Sequence, residues 1–181
     1  MCVDKNHVLL GGRWNPSEYH DERPKNFAIE LVVLHCISLP EGQFGTEFPE
    51  QLFTGKLDLE ADDSFADLRG VEVSPHLFVD RKGAITQFVS FDRRAWHAGI
   101  STWRKRPNCN DYSIGIELEG KDTEGFEKAQ YQSLRKVLTA LCLAYDRLSL
   151  DSIVGHNEIS PGRKTDPGEF FNWKELYGRG G

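Results

Sequence analysis

An apolar run, Leu31-Val32-Val33-Leu34, ends at His35, and a second short apolar run leads into Gly155-His156-Asn157-Glu158. Ten residues beyond His156 comes Asp166, inside Arg163-Lys164-Thr165-Asp166-Pro167-Gly168. Imidazole and carboxylate are zinc-ligand types, and a set of three leaves a position open for water or substrate, as in a catalytic rather than a structural site. Spacing alone does not select these three, because a His at a strand end is commonly an ordinary polar residue. Four other histidines compete. His7 and His20 fall in a loose N-terminal stretch and are expected in solvent, whereas His76, at a strand start, and His97, between Trp96 and Ala98, could each line a cleft or bind a metal.

A second set is carboxylic. Tyr112-Ser113-Ile114-Gly115-Ile116-Glu117-Leu118-Glu119 alternates as a strand with Tyr112, Ile114, Ile116 and Leu118 on one face. Ser113, Gly115, Glu117 and Glu119 share the other. The small Ser and Gly leave room in front of the carboxylates, as a substrate cleft would need. A half-exposed strand with a solvated acidic face fits the same pattern, and position does not choose between Glu117 and Glu119. The loop Trp103-Arg104-Lys105-Arg106 is the densest basic cluster; Arg104 and Arg106 could hold anionic substrate groups or simply be solvated. Trp96 could stack on a ligand or belong to the core.

The elements that must position these residues are mostly strands. Residues 29–37 read as a buried central strand and 112–119 as another, with a short one at 152–155. Leu77-Phe78-Val79 and Ile85-Thr86-Gln87-Phe88-Val89 flank Asp80-Arg81-Lys82-Gly83, a hairpin whose Gly can take positive φ. In 127–148, Leu134, Val137, Leu138, Leu141, Tyr145 and Leu148 recur at helical spacing. Asn172-Trp173-Lys174-Glu175 resembles a capping box opening a short helix. Residues 47–70 read as partial helix and long loop, 11–26 as a surface segment, and 178–181 as a fraying end. Strands with a few helices predict an α/β fold: a mixed central β-sheet with packed helices.

Composition bounds the rest. A chain of 181 residues suits one domain; 39 % hydrophobic and 28 % charged residues exclude a disordered chain. A net charge of −6 argues against nucleic acid as a partner. No apolar stretch is long enough to span a membrane, and the N-terminus lacks a signal-peptide pattern, so a cytoplasmic monomer is expected. The four cysteines, Cys2, Cys36, Cys109 and Cys142, form no Cys-x-x-Cys pair and are expected as reduced, small apolar residues in or near the core.

Several runs carry a resemblance: Leu34-His35-Cys36-Ile37-Ser38-Leu39-Pro40, Gly42-Gln43-Phe44-Gly45, Phe91-Asp92-Arg93-Arg94-Ala95-Trp96-His97-Ala98-Gly99, the run from Cys109 to Gly120, and Arg163 to Gly168. In order and content they resemble the N-acetylmuramoyl-L-alanine amidases of the peptidoglycan-recognition fold. They are most similar to the cytoplasmic 1,6-anhydro-N-acetylmuramyl-L-alanine amidases, the AmpD type. The likeness covers roughly residues 12–176 and implies a single zinc amidase domain over 1–181. By resemblance, His35, His156 and Asp166 are zinc ligands, Glu117 the general base and Lys164 the basic residue beside the metal. Trp96, His97, Arg104 and Arg106 are candidate substrate contacts.

The implied reaction hydrolyses the amide between (1,6-anhydro-)N-acetylmuramic acid and L-alanine of a small muropeptide. Zinc can polarise the carbonyl and lower the pKa of bound water to about 7, Glu117 can move the proton, and Lys164 can face the oxyanion. Two departures stand out: Cys36 where the type has Asn, and Asn157-Glu158 where it has Cys-Asp. Cys36 puts one substrate hydrogen bond in question, since a thiol is a poor donor. Two rivals remain, a metal-free glycosidase using Glu117 and Glu119 and a non-catalytic muropeptide-binding module of the same fold.

Overall fold

The apolar run ending in His35 lies at the heart of a six-stranded sheet, with Leu31, Val32, Val33, Leu34 and His35 all buried. The computed structural model describes residues 1–25 and 27–178. The sheet's strands are β1 (Arg13–Trp14), β2 (Leu31–Ile37), β3 (Leu77–Val79), β4 (Ile85–Gln87), β5 (Ser113–Glu119) and β6 (Ile153–Gly155). Their spatial order is β6-β2-β5-β3-β4-β1. The first four are parallel neighbours; β4 returns antiparallel to β3 as the predicted hairpin, with Gly83 at φ 81°. Strands buried on both faces need no alternation, which is why β2 reads as a continuous apolar run.

Strands that run parallel within one sheet require crossovers, whether or not they are neighbours. The one from β5 to β6 is the main helix, Lys128–Ala144. Its stripe of Leu134, Val137 and Leu141 packs on Val32, Leu34, Ile114 and Ile116 from β2 and β5. Gln130 closes a capping box with Glu127, and its amide also donates to the carbonyls of Val79 and Glu119, fixing the helix start to two strand ends. The helix is shorter than the periodicity suggested. Tyr145 is already extended, and Tyr145 and Leu148 reach the core from the following loop. The sheet's other face carries Leu31, Val33 and Val154, packed with Tyr112 and Ile159, and further along the same strands it carries the candidate site.

Residues 47–70 contain a short helix (Phe48–Phe53) and a 3-10 turn (Asp63–Leu68) joined by loop, as predicted. At the C-terminal helix (Trp173–Leu176), Asn172 accepts from the Glu175 N–H, but the reciprocal arm is replaced: the Asn172 N–H donates to the Tyr131 hydroxyl at 2.7 Å. Of the segment expected to fray, 179–181 fall outside the described residues.

Several expectations are corrected. The segment 11–26, apart from Asn26, which lies outside the described residues, is more than surface. It supplies the edge strand β1, a ladder of His20–Glu22 against Arg93–Ala95, and Arg23. The Arg23 guanidinium donates to the carbonyls of Phe91, Asn110, Asp111 and Ser113 at 2.7–3.2 Å, because loop carbonyls turned inward need donors. His7 is not free in solvent: its Nδ1 lies 2.8 Å from the Tyr145 hydroxyl. His20 is half-buried. Cys2 is exposed, Cys36 and Cys142 are half-buried, and only Cys109 is fully in the core. Among the described residues, no helix is long and apolar enough to cross a membrane.

Candidate functional site

Register brings the histidines together. β6 pairs with β2 so that Gly155 stands opposite Leu34, and the next residues, His156 and His35, become neighbours. His156 opens a one-turn helix (His156–Ile159) whose Glu158 carboxylate accepts from the Gly155 N–H at 2.8 Å. Asp166 returns because the Asn157 N–H donates to its carbonyl at 2.9 Å. Two glycines make that return possible. A Cβ at Gly155 would meet the Asn157 side chain and Pro167, and one at Gly168, with φ +93°, would lie 1.9 Å from the Asp122 carbonyl. At the Asn157-Glu158 departure, the Glu158 side chain caps the turn, whereas the Asn157 bond to Asp166 is made by the backbone and does not depend on the side chain.

The result is a near-equilateral triangle. His35 Nδ1 and His156 Nδ1 are 3.0 Å apart, and each is 3.1 Å from Asp166 Oδ2. His156 Nε2 lies 3.0 Å from the Ala98 carbonyl, which can only accept, and 3.3 Å from the Arg163 guanidinium, which can only donate; the shorter contact favours the proton on Nε2, with Nδ1 bare toward the centre. His35 and His156 are buried and Asp166 nearly so. Burial pushes the His35 imidazolium down to about 4, so the ring is neutral. Burial alone would raise Asp166, yet the His156 and His35 contacts hold it well below the usual carboxylate range. Neutral imidazoles and an ionised carboxylate are the forms a metal ion binds. Three potential ligand atoms converging within about 3 Å of one another form a donor set that fits a cation.

Beside this triangle stands Glu117, whose β5 register pairs it directly with His35 on the same sheet face. Its Oε2 is buried without a hydrogen-bond partner. Burial, reinforced by Asp166 and opposed by Lys164, raises its carboxyl well above the ordinary range. A carboxylate poised this way is suited to proton transfer. His156, Glu117, Asp166 and Lys164 line one cavity of about 680 Å³, and His35 reaches it through its contact with Asp166. Leu52, Phe53, Leu68, Val71 and Trp96 supply an apolar part of its lining, much of it from the 41–70 segment.

Glu119, two residues on, is neither solvated nor in the cavity wall. It is 2 % exposed, and its oxygens accept from the backbone N–H groups of Gly45 and Arg81. It therefore ties the cavity loop to the β3–β4 turn. The space that Gly115 leaves is also reassigned. A Cβ there would lie 2.3 Å from Cγ of His97, so the room is filled by an imidazole rather than kept for a ligand.

The remaining candidates separate. Trp96 lines the cavity and stacks on Tyr19. His97 reaches the cavity edge, but its Nδ1 lies 2.9 Å from His35 Nε2, behind that ring. His76 is fully buried, accepts from the Gly115 N–H and lies 3.1 Å from the Arg93 carbonyl, which makes it a strut of the core. Arg104 and Arg106 do not line the cavity. Arg106 pairs with Glu30 and covers the Tyr112 ring, while Arg104 lies over Trp103. Besides Lys164, the cations that line it are Lys121 and Arg163, neither of which was a site candidate in the sequence; one follows the end of β5 and the other precedes Lys164. Arg163 donates to the carbonyls of Ala98 and Ile100 and to Ser160 Oγ, holding the loop that supports His156. Cys36 also lines the cavity, half-buried.

Comparison with known proteins gives the family and the fold. A family model described as N-acetylmuramoyl-L-alanine amidase matches residues 25–169. The 1,6-anhydro-N-acetylmuramyl-L-alanine amidase AmpD of Escherichia coli K12 is 47 % identical over 165 residues, covering 91 % of this chain and 90 % of its own. The Haemophilus influenzae AmpD is 46 % identical over 167 residues, covering 92 % and 91 %. Among solved structures, a selenomethionine derivative of AmpD superposes with TM-score 0.95 at 44 % identity, over 98 % of both chains. The E. coli amidase AmiD, in complex with anhydro-N-acetylmuramic acid-L-Ala-D-gamma-Glu-L-Lys, gives TM-score 0.62 at 30 % identity, over 87 % of this chain and 60 % of that one.

Proposed function

The chain belongs to the N-acetylmuramoyl-L-alanine amidase family, and on that footing we propose that it is a zinc-dependent hydrolase of muropeptides. It cuts the amide between 1,6-anhydro-N-acetylmuramic acid and the L-alanine of the stem peptide, in cytoplasmic recycling of wall fragments. The observation that carries the reading is the triangle of His35 Nδ1, His156 Nδ1 and Asp166 Oδ2 beside the unpartnered Oε2 of Glu117. The relatives' shared substrate class, and the muropeptide in the AmiD complex, support the choice of bond.

Zinc held by His35, His156 and Asp166 would act as a Lewis acid on the scissile carbonyl and acidify water. The chain's own residues do the rest. Glu117 takes a proton from the attacking water at its free oxygen and passes it to the leaving nitrogen as the C–N bond breaks, so that a carboxylate and a free amine result. Lys164 offsets the negative charge that develops on the carbonyl oxygen and favours the ionised form of Glu117. Trp96 and the apolar wall exclude bulk water and seat the sugar.

A glycosidase would need two free carboxylates, and Glu119 is committed to Gly45 and Arg81. A non-catalytic binding module would have no use for three convergent ligand atoms. We assign the chain as a monomer acting on a small ligand. The test is metal analysis of the purified protein with mass spectrometry of products from an anhydromuropeptide. Stoichiometric zinc, a free peptide and an intact sugar are expected, with loss of activity on chelation. Cleavage of a sugar–sugar bond, or activity indifferent to chelation, would overturn the reading.

A further inference from the structure

His97 lies within hydrogen-bond reach of a proposed zinc ligand, yet the reaction as derived does not use it. Its ring meets that of His35 edge-on, with centroids 5.1 Å apart and planes at 80°, and the Nδ1 to Nε2 distance is 2.9 Å. On its far side, Nε2 lies 3.1 Å from Ser113 Oγ, which is fully buried. Its backbone is held where Asn110 Oδ1 accepts from the N–H groups of His97 and Ala98 at 3.3 and 2.8 Å. Its ring occupies the space where any side chain larger than that of Gly115 would stand. Sequence-distant residues thus build a seat for one imidazole.

The two proposed histidine ligands are supported differently. His156 Nε2 lies nearer the Ala98 carbonyl, at 3.0 Å, than the Arg163 guanidinium, at 3.3 Å, so a backbone acceptor supports its Nε2–H form. His35 faces a second imidazole, which can either donate or accept. We propose that His97 is a positioning residue that sets the tautomer of His35. His35 Nε2–H donates to His97 Nδ1, His97 Nε2–H donates to Ser113 Oγ, and His35 Nδ1 is left bare toward His156 and Asp166. With the opposite polarity, Ser113 donates to His97, His97 donates to His35, and the proton sits on His35 Nδ1, where it closes the site against a cation. Each polarity holds the same number of protons. The change of polarity delivers one proton to His35 Nδ1 and removes one at the Ser113 hydroxyl, with no net gain or loss, and cation binding selects the first. Supporting partners of this kind commonly govern ligand orientation and metal affinity. The inference rests on reading His35 as a zinc ligand.

The experiment compares the full chain with His97→Ala, His97→Gln and Ser113→Ala. Zinc dissociation constants are read by competition with a chromophoric chelator, and the protonated nitrogen of His35 by long-range proton–nitrogen NMR with and without zinc. His97→Ala is expected to weaken zinc binding by roughly 10–100-fold and to lose the single Nε2–H form of His35. Added imidazole should restore part of the affinity. His97→Gln, whose amide can accept from His35 and donate to Ser113, should stay much closer to wild type, and Ser113→Ala should weaken binding less than His97→Ala. Zinc affinity within about twofold of wild type in His97→Ala, with His35 still protonated at Nε2, would overturn the proposal. Should His97→Ala fail to fold, Ser113→Ala decides: unchanged affinity and an unchanged tautomer overturn it. A wild-type chain that binds no zinc would instead overturn the metal-site reading on which the inference stands.

Discussion

Glu117 and Glu119 share a strand and a face, and the structure separates them into two testable kinds of carboxylate. Glu117 has a buried oxygen without a partner, so its side chain contributes little to holding the fold. Glu117→Gln keeps the shape and removes the base. Turnover is expected to fall by roughly 10²–10⁴-fold, equivalent to about 3–5 kcal/mol of barrier, with zinc content unchanged and thermal stability equal or higher. Glu119→Gln does the reverse. Both its oxygens accept from backbone N–H groups, and an amide turns one acceptor into a donor facing a donor. Losing a hydrogen bond to a charged group costs about 1.5–3 kcal/mol. For a domain of this size that lowers Tm by roughly 3–12 °C, with kcat nearly retained below the transition. The assay is scanning calorimetry alongside steady-state kinetics on an anhydromuropeptide, with zinc measured in each variant. A Glu117→Gln enzyme with wild-type turnover, or an inactive Glu119→Gln enzyme with unchanged Tm and zinc, would refute the assignment. A Glu117→Gln protein that has lost its zinc would make Glu117 a ligand.

Asp166→Ala leaves two protein ligands, and zinc affinity should fall by more than the roughly 10–100-fold typical of losing a supporting partner; stoichiometric zinc after dialysis would remove Asp166 from the site. Acid should destabilise the metal-free protein. Folded His35 protonates near 4 rather than 6.5, so between those values the unfolded chain binds more protons, and stability present at neutral pH is lost as pH falls through that window. The loss from His35 alone is on the order of 3 kcal/mol, readable by urea titration at pH 7.5 and 4.5, and equal stabilities would contradict the buried neutral ring. In the same acid range zinc occupancy should fall, since protons compete for the ligands. Arg106→Ala should leave KM within about twofold and cost about 1 kcal/mol of stability, since the side chain serves Glu30 and Tyr112 outside the cavity; a large rise in KM would return the basic loop to the substrate.

The longer strands and the main helix were legible in local patterns, whereas the family resemblance, not spacing, selected the candidate ligands and Glu117. An apolar run closing on His35, an alternating strand bearing Glu117, and a His156 to Asp166 spacing are local patterns, and burial of a period-two or period-3.6 face needs only local order to be read. Alternation assigns a face, however, and not the atom opposite it. It placed Glu117 and Glu119 together; the register of β2 against β5 put His35 beside one, and the Gly45 and Arg81 N–H groups took the other. It read the gap at Gly115 as room for substrate, and the gap holds His97, which comes from a loop no period describes. It left Arg104-Lys105-Arg106 open between a substrate contact and a solvated loop, and the chain path turns that loop toward Glu30 and Asp151. Arg23 looked like part of a loose segment until inward-facing carbonyls from two distant loops gathered round it. Each of these outcomes depends on contacts between residues far apart in sequence, which packing and hydrogen-bond satisfaction select only once the whole chain is folded.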